Sequence, residues 1–307
     1  MNSKFTYITI AAIVSLVLSI TFHYNFGLSA LELVGAFAHF NLPLSCIILF
    51  ASALKKRIVP AVISLLAVVL SFCAIAPALQ YAETSNVEGS FSVIQTNLYH
   101  YNPRYEEAIL VLLSADFDVV SIQELNSKWK DVISEQIIAK YPYQTESAWD
   151  SCCYGIGLYS KYPILDQEVL NIDRTPCIIA TIDVNGKMVR VVSLHTRPPI
   201  FPNETDLRNH QLAEVADLVK DDTIPTLVIG DFNVVSWDNT LTEFLDAANL
   251  SRAECGFQAT YPMEFGLPLI PIDHITFNNL LTQTSCGSLA MPGSDHKAIH
   301  ASFRLKD

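Results

Sequence analysis

Polar side chains of the kinds used in hydrolysis stand where short apolar runs of this sequence stop. Asn97 closes the run that begins at Val93, Glu124 follows Val119–Gln123, and His195 follows Val191–Leu194. Asp231 and Asn233 come directly after Leu227–Gly230. Asp273 lies just before the run that His274 opens, and Asp295 and His296 lie just before the last one. Apolar runs of this length read as strands, and strand ends are rigid mounts. Carboxylates, amides and imidazoles gathered on such mounts suit a metal-assisted hydrolytic site. Singly, each has a plainer reading: a turn at Asn97, the approach to a helix at Glu124, a satisfied core histidine at His195. Their coincidence at successive strand ends is what points to a site.

The elements that must carry these residues can be read from periodicity and turn chemistry. Strands are expected at Phe91–Leu98, Asp118–Leu125, Gly155–Ser160, Cys177–Asp183, Met188–Leu194, Thr226–Ile229, His274–Phe277 and Ala298–Leu305. Helices are expected at Arg104–Ser114, from an Asn126 or Ser127 cap to about Tyr141, at Asp206–Lys220 and at Asn239–Ala248. Asn185-Gly186 is the strongest two-residue hairpin signal in the chain. Hairpins mixed with βα units imply two sheets flanked by helices rather than one doubly wound parallel sheet.

With those positions in view, an ordered set of motifs resembles the endonuclease/exonuclease/phosphatase superfamily. The set is QTN (Gln95–Asn97), QEL (Gln123–Leu125), YGIGLYSKYPI (Tyr154–Ile164), SLHT (Ser193–Thr196), GDFN (Gly230–Asn233), IDHI (Ile272–Ile275) and SDH (Ser294–His296). The resemblance runs from about Phe91 to Leu305. It implies an α/β (α+β) fold, a four-layer α/β/β/α sandwich of two mixed sheets flanked by helices, over residues 91–307. It also implies a divalent cation, Mg²⁺ with Mn²⁺ as the alternative, on Glu124, Asn97 and Asp295; oxygen ligands of this kind suit Mg²⁺. His296, oriented by Asp273, is then general base or charge-stabilising partner, and Asp231 positions or deprotonates the attacking water. Asn233 donates to the phosphate, His195 is a phosphate ligand or proton donor, and Arg197 is a further substrate contact. The sequence departs from the deoxyribonuclease branch before Tyr154, where Asp150 is the nearest acid to Ser151-Cys152-Cys153. No GxSxG and no GxxxxGK[ST] motif is present.

Charge narrows the substrate. Residues 88–307 hold 15 Lys or Arg against 29 Asp or Glu, and the whole chain has a formal net charge of −12. A long polyanion needs a cation at each phosphate contact. Lys161, Arg174, Arg197 and Arg208 are the nearest cations in sequence, which favours a small or lipid-borne phosphodiester over DNA or RNA. Extracytoplasmic nuclease action and a catalytically dead membrane-bound binding module are the alternatives. No protein partner is expected.

Residues 1–82 read as a membrane anchor, followed by a linker at 83–90. Phe5–Phe22, Val34–Leu54 and Ile58–Leu79 are uncharged runs of 18, 21 and 22 residues, each close to the roughly 20 that cross a bilayer. Three transmembrane helices, at about 5–22, 34–54 and 58–79, are therefore expected. Lys4 and the Lys55–Arg57 cluster on the cytoplasmic side put the C-terminal domain on the extracytoplasmic, periplasmic face of a multi-pass integral membrane protein. In that setting Cys255–Cys286, and Cys177 with Cys152 or Cys153, are candidate disulfides. Asn41 is expected to make a helix–helix hydrogen bond.

Overall fold

The computed structural model of the chain describes residues 3–23, 29–83, 88–263 and 266–306. Two six-stranded mixed sheets stand face to face among these residues. The first contains β1 (Phe91–Asn97), β2 (Val119–Gln123), β3 (Tyr143–Ser147), β4 (Ile156–Ser160), β11 (Leu281–Ala290) and β12 (Lys297–Leu305), in the order β11-β12-β1-β2-β4-β3. The second contains β5 (Ile164–Ile172), β6 (Thr175–Val184), β7 (Lys187–His195), β8 (Thr226–Asp231), β9 (Leu250–Arg252) and β10 (Asp273–Asn278), in the order β5-β6-β7-β8-β10-β9. Each sheet has one parallel pair near its centre, β1–β2 and β7–β8, and antiparallel neighbours outside it. A parallel connection requires a crossover. It is supplied by α5 (Tyr105–Ala115) in the first sheet and α7 (Pro202–Val219) in the second.

Phe91, Val93, Ile178, Val191, Ile229 and Phe303 fill the space between the sheets. Full burial of such side chains contributes about 1.5–3 kcal/mol each. The outer face of the first sheet is covered by α5 and α6 (Ser127–Gln136) through Ile109, Leu112, Trp129 and Ile133. The second is covered by α7 and α8 (Asn239–Ala248) through Leu212, Val215, Leu241 and Phe244. Helix, sheet, sheet, helix is the layering expected from sequence. Asn126 caps α6 by accepting the Trp129 N–H, and Asn185 (φ 54°) with Gly186 (φ 87°) turns β6 into β7. The helix after Asn126 stops at Gln136 rather than near Tyr141.

Ahead of the sandwich lie α1 (Ser3–His23), α2 (Ser29–Gly35), α3 (Ala38–Leu54) and α4 (Ile58–Ile75). Among the described residues only Ile58–Leu79 is long and apolar enough to cross a membrane, which corrects the expectation of three spans. The 34–54 run is broken between α2 and α3, and the apolar stretches Tyr7–Phe22 and Ala38–Leu54 are both shorter than 18 residues. α1, α3 and α4 nonetheless pack as one bundle with its polar groups inside. The Asn41 amide donates to the Ser15 carbonyl (3.0 Å), Ser19 Oγ (2.9 Å) and Ser71 Oγ (3.0 Å) and accepts from Ser15 Oγ (3.0 Å). Outward, the three helices expose Ile13, Val17, Phe50, Leu65 and Val69. The linker region 83–90 lies partly outside the described residues.

Cys255 and Cys286 form a disulfide, joining the loop after β9 to β11. The second candidate bridge is not made. Cys177 is buried in the helix-covered core of the second sheet, and Cys152 and Cys153 are free thiols.

Candidate active site

The strand ends converge. His195 is the register partner of Asp231 across β7–β8, and Asp231 is the partner of Asp273 across β8–β10. β1 and β2 end together at Asn97 and Gln123, and β12 runs antiparallel to β1, so His296 falls at the same edge. Between the sheets Gln95 joins the two halves, its amide donating to Gln123 Oε1 (2.8 Å) and Asp273 Oδ1 (2.7 Å).

Asp231, Asp273 and His296 are buried, with ligand-capable atoms within 4.8 Å of one another. His296 Nδ1 bonds Asp273 Oδ2 at 2.9 Å, and His296 Nε2 lies 3.7 Å from Asp231 Oδ2. Burial alone would depress the imidazole, but Asp273, with Asp231 and Asp295 behind it, lifts it to about 10. Asp273 is correspondingly held below the ordinary carboxylate value against its burial, by His296 and by bonds from Thr260 and Gln95. Asp231 goes the other way: burial and the charge of Asp273 lift it to about 8, against the pull of His296. The 2.9 Å bond and the nearness of Asp231 make Asp273–His296–Asp231 a coupled cluster, in which an ionised Asp273 and a charged His296 stand beside a protonated Asp231 at neutral pH.

Glu124 stands just beyond β2 with a left-handed backbone, φ 62°, a conformation that costs roughly 1–3 kcal/mol away from glycine. The flanking backbone holds it there: Leu98 N–H donates to the Gln123 carbonyl and Leu125 N–H to the Gly155 carbonyl. The turn aims the carboxylate at the His100 N–H (2.6 Å) and the Asn97 amide (3.1 Å). Burial, and after it the charge of Asp295, raises Glu124. Two carboxylates that repel each other in a pocket of oxygen atoms fit a hard divalent cation. Glu124 and Asp295 are the residues that would hold it. Asn97 presents its amide nitrogen to Glu124 and to Asp231 Oδ2 (3.3 Å), while its carbonyl oxygen accepts the Tyr99 N–H (2.9 Å). In this arrangement Asn97 bridges Glu124 and Asp231 through its amide nitrogen.

Asn233, also left-handed at φ 49°, donates its backbone N–H to Asp231 Oδ1 (3.0 Å) and its amide to the Thr196 carbonyl (2.9 Å). His195 Nε2 lies 3.6 Å from Asp231 Oδ2, and its ring packs against Tyr154. Burial, helped by the nearby His296 charge, pushes His195 down to about 4, so it is a neutral imidazole. Asp150 does not reach it; that carboxylate accepts from Ser127 N–H and Oγ.

Glu124, His195, Asp231, Asn233, Asp295 and His296 line one cavity of about 230 Å³. Arg197 is not among its lining residues. Its guanidinium pairs with Glu204 (2.7 Å), donates to the Asp173 carbonyl and lies over the Tyr154 ring. Lys161 is held by Asp116 and Asp118, and Arg208 by Glu32. Sequence reading gave no role to Gln95, whose place at the head of QTN was its only signal. Nor did it give one to Tyr261, whose ring lies 4.7 Å from that of His296.

The sequence model of the Endonuclease/Exonuclease/phosphatase family matches residues 84–296. Among solved structures, a humanized D. rerio TDP2 is 18% identical, with 71% of this chain and 100% of that one covered at a TM-score of 0.60. Sphingomyelinase C from Streptomyces griseocarneus is 17% identical, covering 69% and 99% at 0.55. An endonuclease/exonuclease/phosphatase from Beutenbergia cavernae is 16% identical, covering 71% and 72% at 0.59. These are likenesses of fold. No curated protein matches the chain.

Proposed function

Since the chain belongs to the endonuclease/exonuclease/phosphatase family, we propose that it is a membrane-anchored, divalent-metal-dependent phosphodiester hydrolase acting outside the cytoplasm, on a lipid-borne or other small phosphodiester. The observation that carries this reading is the meeting of Glu124, Asp231, Asp295 and His296 around one cavity. Asp231, whose proton affinity is raised by burial, accepts the proton of the attacking water once it is ionised, which in the metal-free chain requires a pH near 8 or above. His296, kept charged by Asp273, donates a hydrogen bond to a phosphoryl oxygen as negative charge gathers there. Neutral His195 and Asn233 orient the phosphate. Glu124 and Asp295, with Asn97 beside them, would hold Mg²⁺, or Mn²⁺ in its place, whose chemistry there is to neutralise charge on the phosphoryl and leaving oxygens.

Three observations support the membrane setting. The bundle of α1, α3 and α4 turns apolar side chains outward and serine and asparagine inward, the reverse of a soluble bundle. Lys55, Lys56 and Arg57 precede α4, and a cationic end of a span favours the cytoplasmic side, which supports a sandwich on the far side of the membrane. The Cys255–Cys286 disulfide is at home in an oxidising compartment.

A nuclease of the same chemistry is the second reading. It is favoured by the likeness to D. rerio TDP2 solved with a single strand DNA product, 18% identical at a TM-score of 0.59. The two separate in one assay. The full chain is incubated with Mg²⁺ and, in parallel, with plasmid DNA, sphingomyelin vesicles, a phosphoinositide and bis-p-nitrophenyl phosphate. Cleavage of a lipid with DNA spared is the expected pattern. Cleavage of DNA alone reverses the substrate assignment, and turnover that survives EDTA removes the metal.

A further inference from the structure

The N-terminal helices do not merely adjoin the sandwich; α2 forms part of the wall of its catalytic cavity. Its Glu32 is buried and ion-paired with Arg208 of α7, which is 0% exposed and also donates to the Asn233 carbonyl (3.2 Å). Beside it, Trp237 Nε1 donates to the Gly35 carbonyl (2.9 Å), and Val235, Trp237, Ile270 and Ile272 share an apolar cluster with Ala38, Ile75 and Ala78. These contacts fix α2 over the site. Leu33 and Ala36 then line the cavity together with Ile200, Val235, Ile270 and Ile272, and the same cavity is lined by Glu124 and His296. Among the described residues that line it, none is Lys or Arg.

We propose that α2 completes an apolar subsite next to the phosphate site, and that this subsite takes the start of a hydrocarbon chain esterified to the scissile phosphate. The inference rests on the hydrolase reading and adds to it the chemistry of the substrate's second half. An amphiphilic phosphodiester carries its charge at one end of an apolar chain. The cavity lining combines both characters: Glu124, Asp231, Asp295 and His296 at the strand ends, and aliphatic side chains such as Leu33, Ile200 and Ile270, among which Glu32, paired with Arg208, and Asp238 also stand. A polynucleotide would set further phosphates against a lining without Lys or Arg. The neighbouring helices point the same way, since α2 packs on α1, whose outer face belongs to the apolar belt of the bundle. A volume of about 230 Å³ admits the phosphate and the first few methylenes, not a whole lipid.

The test compares methyl p-nitrophenyl phosphate with hexyl p-nitrophenyl phosphate, which share a leaving group and differ only in the chain. The full-length protein is used in amphipol with Mg²⁺. Each methylene taken from water is worth about fourfold in binding, so kcat/KM for the hexyl ester should exceed that for the methyl ester about tenfold or more. Leu33→Asp on α2 and Ile200→Asp elsewhere in the lining, both exposed in the folded chain, should bring the ratio close to one. Equal kcat/KM for the two esters in the parent, or a ratio that neither variant lowers, overturns the subsite. Absence of turnover on both esters counts against the hydrolase reading instead. The subsite is then judged by calorimetry: hexylphosphocholine should bind about tenfold or more tighter than glycerophosphocholine. Equal binding, or stronger binding of a single-stranded oligonucleotide, contradicts it.

Discussion

Asp231 and His296 lie 3.7 Å apart, yet both are moved toward the protonated form, Asp231 by burial and the charge of Asp273, His296 by Asp273 against its own burial. Both shifts therefore make stability fall as pH rises, in different windows. Asp231 is lifted from 3.8 to about 8, so between those values the unfolded chain is ionised while the folded chain keeps its proton. Stability from this group therefore falls as pH rises through that window. Asp231→Asn should be more stable than the parent, by several kcal/mol toward pH 8, with a gap that opens above about pH 4. It should also lose nearly all activity; thermal unfolding in metal-free buffer and a rate assay check the two halves. His296 is raised from 6.5 to about 10, so its contribution is complete below 6.5 and lost as pH climbs toward 10. Asp273→Asn removes the partner that keeps it charged, and NMR titration of His296 should show its value dropping sharply. At this scale most of the cluster was legible, because residue type and position at the end of an apolar run survive in sequence. Arg197 was not. Its nearness to His195 in the chain suggested a substrate contact, but Glu204, seven residues on, and Tyr154 supply the partners it has in the fold.

At the scale of elements, the site depends on how closely backbones approach behind Glu124. A Cβ on Gly155 would lie 1.8 Å from the Leu125 carbonyl oxygen and 2.7 Å from the Trp149 nitrogen, both main-chain atoms that cannot rotate away. Gly155→Ala should cost roughly 3 kcal/mol or more and lower activity beyond the loss of folded protein, since the strand must move against the residue that follows Glu124. Urea unfolding together with activity per folded molecule separates the two effects. The elements that sequence identified are the ones buried on both faces or marked by turn chemistry, such as β1, β8 and the Asn185-Gly186 hairpin. β3, β5, β9 and β11 went unseen. β5 and β11 lie at the outer edges of their sheets with largely exposed or half-exposed side chains, so neither alternation nor a continuous apolar run announces them. The long uncharged run at 34–54 misled in the other direction. Composition does not register the break between α2 and α3, and that break is what frees α2 to cover the catalytic cavity.

For the whole molecule, the ion pair between Glu32 and Arg208 joins the N-terminal helices to the sandwich. Removing one partner of a buried pair leaves the other charge stranded, so Glu32→Ala should cost about 3–5 kcal/mol, whereas replacing Glu32 and Arg208 together with apolar residues should cost much less. Differential scanning calorimetry of the single and double variants measures this coupling between α2 and α7. No sequence pattern signals such a contact, because its partners are far apart in the chain and each looks like an ordinary surface charge. The central claim is that carboxylates on the ends of β-strands from two sheets form one metal-assisted hydrolytic centre, and its most direct test is the Mg²⁺ dependence of bis-p-nitrophenyl phosphate hydrolysis by the full chain and by Glu124→Gln. A saturable Mg²⁺ activation in the parent, shifted to about tenfold higher Mg²⁺ or abolished in the variant, is the predicted result. Superimposable curves for the two proteins would contradict it.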